Sequence, residues 1–251
     1  MPDHKDNNAL PRSDPEILWI GWKRLRGRRP PWQTAIQYRV GGQADQQAWI
    51  IEDDYDSEFH YAGKPRACVQ GLDPHQRTIY IGTFTKSLFP GLRIGYMVLP
   101  PQLVAPMTVA RTLLDGHSAP IPQLTLARFI EGGHFGAYVR TMRDVYAERR
   151  DVLERLVREH LADFVEPRVP AGGMQMPCVC IRDASELETV AAARRAGIDL
   201  LGLTALHASS RHKAGFLMGF AAHTPKELAI AVERLADVLR RPRPESQQRS
   251  R

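Results

Sequence analysis

Six side chains with complementary chemistry fall in two short stretches of this chain. Asp53 and Tyr55 lie in Trp49-Ile50-Ile51-Glu52-Asp53-Asp54-Tyr55-Asp56-Ser57-Glu58-Phe59. Thr83, Thr85, Lys86 and Arg93 lie in the run from Thr78 to Tyr96. They supply a carboxylate, a phenol, two hydroxyls, an amine and a guanidinium. In each stretch a short apolar run ends abruptly in charged and hydroxyl residues. Buried parallel strands read this way, and in open α/β sheets the ligand sits beyond the strand carboxyl ends. The expectation is that all six groups meet at one sheet edge. Taken singly they say little. A lone lysine after a strand is ordinarily solvated, and the cluster Glu52-Asp53-Asp54-Asp56 would suit a loop or a weak cation site.

Together the six suit pyridoxal 5'-phosphate. Its reactive carbon needs a lysine amine for a Schiff base, and its ring nitrogen needs a carboxylate to stay protonated as an electron sink. A phenol near the ring oxygen tunes that linkage, and hydroxyls with an arginine hold a phosphate by charge-assisted hydrogen bonds.

Two motifs carry a specific resemblance: Glu-Asp-Asp-Tyr-Asp-Ser-Glu-Phe (52–59) and Gly-Thr-Phe-Thr-Lys-Ser-Leu-Phe-Pro-Gly-Leu-Arg-Ile-Gly-Tyr (82–96). This pair resembles the aminotransferase-like domain of MocR-type regulators, in the GntR superfamily, which share the fold type I aminotransferase architecture. The spacing of 33 residues from Asp53 to Lys86 agrees with that family. The resemblance implies Lys86 as the Schiff-base lysine, Asp53 as the partner of the pyridine nitrogen and Tyr55 at the phenolic oxygen. It implies Arg93 as the phosphate arginine, with Thr83 and Thr85 as phosphate-binding hydroxyls. It also implies an α/β fold, with a partial large cofactor domain followed by an α+β small domain.

Three functions stay open at this point. The chain is the carboxyl-terminal part of a MocR-type regulator sensing an amine or amino acid by Schiff-base exchange, an aminotransferase proper, or a remnant that binds no cofactor. The family's winged helix-turn-helix and the first half of its cofactor domain have no counterpart here, so DNA contact is expected only through an upstream element. A homodimer is what the resemblance implies. The substrate-carboxylate arginine is not placed: the late strand Phe216-Leu217-Met218-Gly219-Phe220 has none, and Arg211 is the nearest candidate.

The formal net charge of +6 sits in the tails. Residues 1–44 carry +4 and residues 240–251 carry +4, leaving −2 for the centre. Solvated basic tails fit that pattern better than a nucleic-acid groove. The three cysteines, Cys68, Cys178 and Cys180, argue against a disulfide framework and for a reducing cytoplasm. Cys178-Val179-Cys180 reads as small buried residues on a strand. No apolar run approaches the ~20 residues of a membrane span, and the polar start predicts no signal peptide.

Those chemical groups need elements to hold them. Residues 1–43 show no lasting period and read as irregular. The partial large domain is expected over 44–132, with Asp45–Ala48 ending a helix or turn and strands at Trp49–Asp53, Thr78–Ile81 and Ile94–Leu99. Leu72-Asp73-Pro74-His75 reads as a turn, and Pro120–Glu131 as a helix. The linking helix and small domain are expected over 133–239. A long helix starts near His134, with Val139, Leu153, Leu156 and Val157 in its apolar stripe and a salt-bridged, arginine-rich solvent face. Strands at Met174–Ile181 and Gly215–Phe220 and a helix at Ser185–Ala196 follow. The last helix opens on a capping box, Thr224-Pro225-Lys226-Glu227. Residues 240–251 read as a disordered tail.

Overall fold

The structure, a computed structural model, describes residues 49–63, 67–181, 185–206 and 213–240, together with the backbone of residues 17–21. The chain divides into two compact units, residues 1–55 with 66–128, and residues 56–65 with 129–251.

The first unit is built on a four-stranded sheet. β1 (Ile17–Gly21), β2 (Trp49–Asp54) and β3 (Thr78–Thr83) run parallel, and β4 (Gly95–Val98) joins antiparallel, in the order β1-β2-β3-β4. β1 corrects the reading of residues 1–43 as irregular. Five residues without alternation give no periodic signal, and the strand is defined by its parallel register on β2, from Ile17 opposite Trp49 to Gly21 opposite Asp53. The other structural expectations for residues 1–48, including a helix or turn ending at Asp45–Ala48, lie outside the described residues.

Between β2 and β3 sits a single helical turn, α1 (Val69–Leu72). Both oxygens of Glu52 accept its leading amides, from Val69 at 2.8 Å and Gln70 at 2.9 Å. Burial pushes the Glu52 carboxyl above its usual range, and those two hydrogen bonds only partly offset it. After β3 come the short helix α2 (Phe84–Ser87) and a 3-10 turn at Pro90–Leu92. Pro100 and Pro101 stop β4, as expected, and they also open a helix, α3 (Pro101–Asp115), which the sequence reading did not include. Proline at a first helical turn removes only an N–H that would be unpaired anyway. α4 (Pro120–Glu131) follows with the bounds expected for it.

In the second unit α5 (His134–His160) runs for 27 residues. β5 (Val165–Pro167), β6 (Gln175–Cys180), α6 (Glu186–Arg195), β7 (Leu201–Gly202), β8 (Gly215–Gly219) and α7 (Pro225–Arg240) complete it. The strands form an antiparallel sheet in the order β5-β6-β8-β7. Leu153, Leu156 and Val157 of α5 pack with Met176, Cys178, Phe216, Met218, Val232 and Leu235 in one core. β6 alternates, burying Met176, Cys178 and Cys180, so both cysteines are core residues. Burial, then the neighbouring Cys180, pushes the Cys178 thiol up to about 12.

The arginine-rich face of α5 is only partly salt-bridged. Arg158 pairs with Glu154 at 2.9 Å and Arg155 with Glu159 at 3.8 Å. Arg143 and Arg149 instead donate to the backbone carbonyls of Glu58 and Ala221, while Arg150 both pairs with Asp151 at 2.7 Å and donates to the Pro170 carbonyl. These arginines tie loops to the helix, a role that requires a tertiary partner and leaves no mark in the spacing. The capping box forms as expected. The Thr224 hydroxyl accepts from the Glu227 amide at 3.3 Å, and a Glu227 carboxylate oxygen accepts from the Thr224 amide at 2.7 Å. The tail at 241–251 lies outside the described residues.

Candidate functional site

β3 delivers the lysine. Its last residue, Thr83, caps α2: the hydroxyl accepts from the Thr85 amide at 3.1 Å and donates to the Ile94 carbonyl at 3.2 Å. The same carbonyl accepts from the Phe84 amide at 2.9 Å, which folds the loop from Leu88 to Ile94 back onto the start of the helix. Ser87, buried, donates to the Thr83 carbonyl at 3.3 Å. Arg93 ends the loop in the left-handed region, with φ 51° and ψ 36°. A side chain other than glycine occupies that region at a cost on the order of 1 kcal/mol, and such strain concentrates at functional positions.

These constraints bring Tyr55, Thr83, Thr85, Lys86 and Arg93 around one open cleft of about 260 Å³, with Gly95 completing the wall. Five of the six residues expected from the sequence therefore meet, and Asp53 is not among the lining residues. It lies deeper on the same side of the sheet. Asp53 is in register with Ile81, and Thr83 with Gly95, so all four share a face. Two residues of strand place Asp53 about 7 Å below the Thr83–Gly95 pair. Its other neighbour is Gly21 of β1, so the strand opposite Asp53 carries no side chain.

The adjacent carboxylates face away. Glu52 caps α1, and Asp54 accepts the Tyr80 hydroxyl at 2.8 Å. Both are on the opposite face of β2, as strand pleating requires. The expectation of a loop or weak cation cluster at Glu52-Asp53-Asp54-Asp56 gives way to this division of labour. Among the described residues no group of three acidic, histidine or cysteine side chains is arranged to hold a metal.

The sequence reading missed Gly95 as a wall of the cleft and the double use of the Thr83 hydroxyl. A glycine opening a strand is the signal for the first, since it marks close approach. The hydroxyl's two bonds arise from tertiary geometry. Arg211, the carboxylate candidate, lies outside the described residues.

The donor set fits a phosphorylated pyridoxal. Among the described residues, neither the Lys86 amine nor the Arg93 guanidinium has a hydrogen-bond or ion-pair partner, so both remain available to an anion or a carbonyl carbon. Thr85 and Tyr55 line the cleft beside them, and Asp53 sits on the same sheet face one strand pair-repeat below.

Comparison with known proteins identifies the family and the fold. The family model described as aminotransferase class I and II matches residues 43–235. The chain belongs to that family. Its matches include a probable rhizopine catabolism regulatory protein, MocR, of Rhizobium meliloti, 38% identical over 188 residues, covering 75% of this chain and 38% of that protein. They also include the HTH-type transcriptional regulator YhdI of Bacillus subtilis, 34% identical, covering 80% of this chain and 43% of that one. The chain thus spans about two fifths of the length of these relatives. Among solved structures, kynurenine aminotransferase of Pyrococcus horikoshii superposes with a TM-score of 0.78 at 23% identity, over 89% of this chain and 56% of that one. The fold is type I, and the chain covers part of its large domain. The chain is an aminotransferase-like domain of the kind found in MocR-type regulators, and family membership implies pyridoxal 5'-phosphate as cofactor. None of the described helices is long and apolar enough to cross a membrane.

Proposed function

We propose that this chain is the cofactor-bearing part of a cytoplasmic MocR-type regulator that senses an amine or amino acid. The observation that carries the proposal is the cleft that gathers Lys86, Arg93, Thr85 and Tyr55, with no partner among the described residues for either cation. In this reading Lys86 would hold the cofactor through its side-chain amine, and an incoming amine would compete with Lys86 for that attachment. Bound there, the cofactor supplies an electron sink at its ring. Arg93 and the Thr85 hydroxyl hold the phosphate by charge-assisted hydrogen bonds. Thr83 contributes mainly by fixing the loop, because its hydroxyl already donates to Ile94. Tyr55 tunes the ring oxygen, and Asp53 keeps the ring nitrogen protonated. DNA contact belongs to a winged helix-turn-helix outside the matched region, and the assembly is a homodimer.

The family match itself favours a second reading, an aminotransferase proper, in which Lys86 also carries the proton between carbon atoms. One experiment tests the cofactor site shared by both. Purified protein mixed with pyridoxal phosphate is expected to develop a visible absorption band, and borohydride followed by peptide mapping to place the label on Lys86. Lys86→Ala is expected to lack both. Wild-type protein without a band sinks both readings. Steady transamination of a supplied amino acid with a keto acid would favour the second over the first.

A further inference from the structure

The tandem Asp53-Asp54 poses a problem that the strand must solve. A register slip of one residue would swap the faces of the two carboxylates and present the wrong one to the cofactor. We propose that Asp54, held by Tyr80 with Tyr96 beside it, is a positioning residue that fixes which carboxylate of the pair faces the cofactor cleft. The inference rests on the cofactor reading above and adds a role that reading does not contain.

Three observations carry it. First, the Tyr80 hydroxyl donates to the Asp54 carboxylate at 2.8 Å, joining β2 to β3 two pairs before the lysine loop begins. Second, the Tyr96 ring lies over Gly82, which is in register with both Asp54 on β2 and Tyr96 on β4. A Cβ added at Gly82 would collide with that ring, so only glycine lets Tyr96 lie across β3 toward Tyr80. The Tyr80 and Tyr96 ring centroids are 6.0 Å apart, and Tyr96 also packs on Phe84, the first residue of α2, at 5.4 Å. Third, Glu52 is locked on the same face by the two α1 amides. Because side chains alternate, fixing Glu52 and Asp54 on one face leaves Asp53 on the other, with Thr83 and Gly95. Burial and then the Asp54 carboxylate raise the Tyr80 phenol well above its usual range, so it stays a donor at any working pH. The Phe84–Tyr96 contact extends the same cluster to the helix that bears Lys86.

The test uses the whole chain loaded with pyridoxal phosphate, reading apparent cofactor affinity and the circular dichroism of the visible band per unit absorbance, which reports cofactor orientation. Tyr80→Phe and Asp54→Ala each remove the hydrogen bond. Each is expected to weaken affinity about 3- to 10-fold and to alter the dichroism. Asp54→Asn keeps a carbonyl acceptor for the tyrosine and is expected to restore most of both. The double variant Tyr80→Phe/Asp54→Ala is expected to lose no more than the worse single variant, since both remove one interaction. Unchanged affinity and dichroism in Tyr80→Phe and Asp54→Ala, with only a lowered melting temperature, would overturn the proposal while leaving the cofactor reading intact. A wild-type chain that gives no visible band overturns both.

Discussion

The chemistry of the cleft depends on a few side chains held against their local preference, and Arg93 is the clearest. Its left-handed backbone is tolerated best by glycine, so Arg93→Gly removes strain and guanidinium together. We expect the variant to melt no lower than wild type, yet to bind pyridoxal phosphate about 10-fold or more weaker, since a charge-assisted hydrogen bond contributes roughly 1.5–3 kcal/mol. Equal affinity by fluorescence titration would remove Arg93 from the phosphate site. Asp73 shows the same economy away from the cleft. One carboxylate oxygen accepts the His75 amide at 2.9 Å, and the other accepts the Arg77 amide at 2.6 Å and the Thr78 hydroxyl at 2.8 Å. Burial pushes its pKa up, but the hydrogen bonds together outweigh it and hold the carboxyl below its usual range. A lowered folded pKa means the contribution is complete above the unfolded value and is lost as pH falls through the folded one. Asp73→Asn keeps one acceptor and orphans the two donors on the other oxygen. It is expected to cost about 1–2 kcal/mol at pH 7, and the gap to wild type in urea titrations is expected to narrow below about pH 4. A gap independent of pH would show that the carboxylate charge is irrelevant there.

At the scale of elements, what could be read from the sequence tracks how local each determinant is. α5, α7 and β6 were legible because their patterns are internal: a persistent apolar stripe, a capping box, and strict alternation at Met176, Cys178 and Cys180. The lysine loop was legible through its motif, so five of six expected residues meet in one cleft. β1 was not, since Ile17–Gly21 becomes a strand only by pairing with residues 32 positions later. α3 was hidden because Pro100-Pro101 marks a strand end as readily as a helix start, and Pro106 lies inside the helix. The resemblance singled out Asp53, but the strand pattern alone leaves either aspartate free to take the inner face, and the reason Asp54 faces away appears only with the partners of Asp54 and Glu52. The capping box gives an element-scale check. Thr224→Ala is expected to destabilise the second unit by about 1 kcal/mol, and Thr224→Ser to retain the full value. Equal loss in both would show that the hydroxyl bond to the Glu227 amide is not what stabilises the start of α7.

The two units differ in how much apolar surface they bury on their own. The large core of the second unit runs from Leu153 to Ala236, with Val157, Leu161, Met176, Cys178, Phe216 and Phe220 fully enclosed. Among the described residues of the first unit, Ile50, Val69 and Leu126 are the buried large apolar side chains, while Met97, Val109, Leu113 and Leu124 are exposed. β4 is an edge strand there, exposed at all four positions. Local stability follows buried apolar contact, so the first unit should open at lower free energy than the second. Two probes separate them. Trp19 and Trp49 lie on β1 and β2 of the first unit, whereas Cys178 and Cys180 are buried in the second. In a Cys68→Ser background, tryptophan fluorescence is expected to change at a lower urea concentration than thiol labelling at Cys178 and Cys180. Saturating pyridoxal phosphate should then move the fluorescence midpoint upward and leave the labelling midpoint nearly fixed, because every cleft residue lies in the first unit. Coincident transitions that shift together would mean the two units fold as one cooperative body.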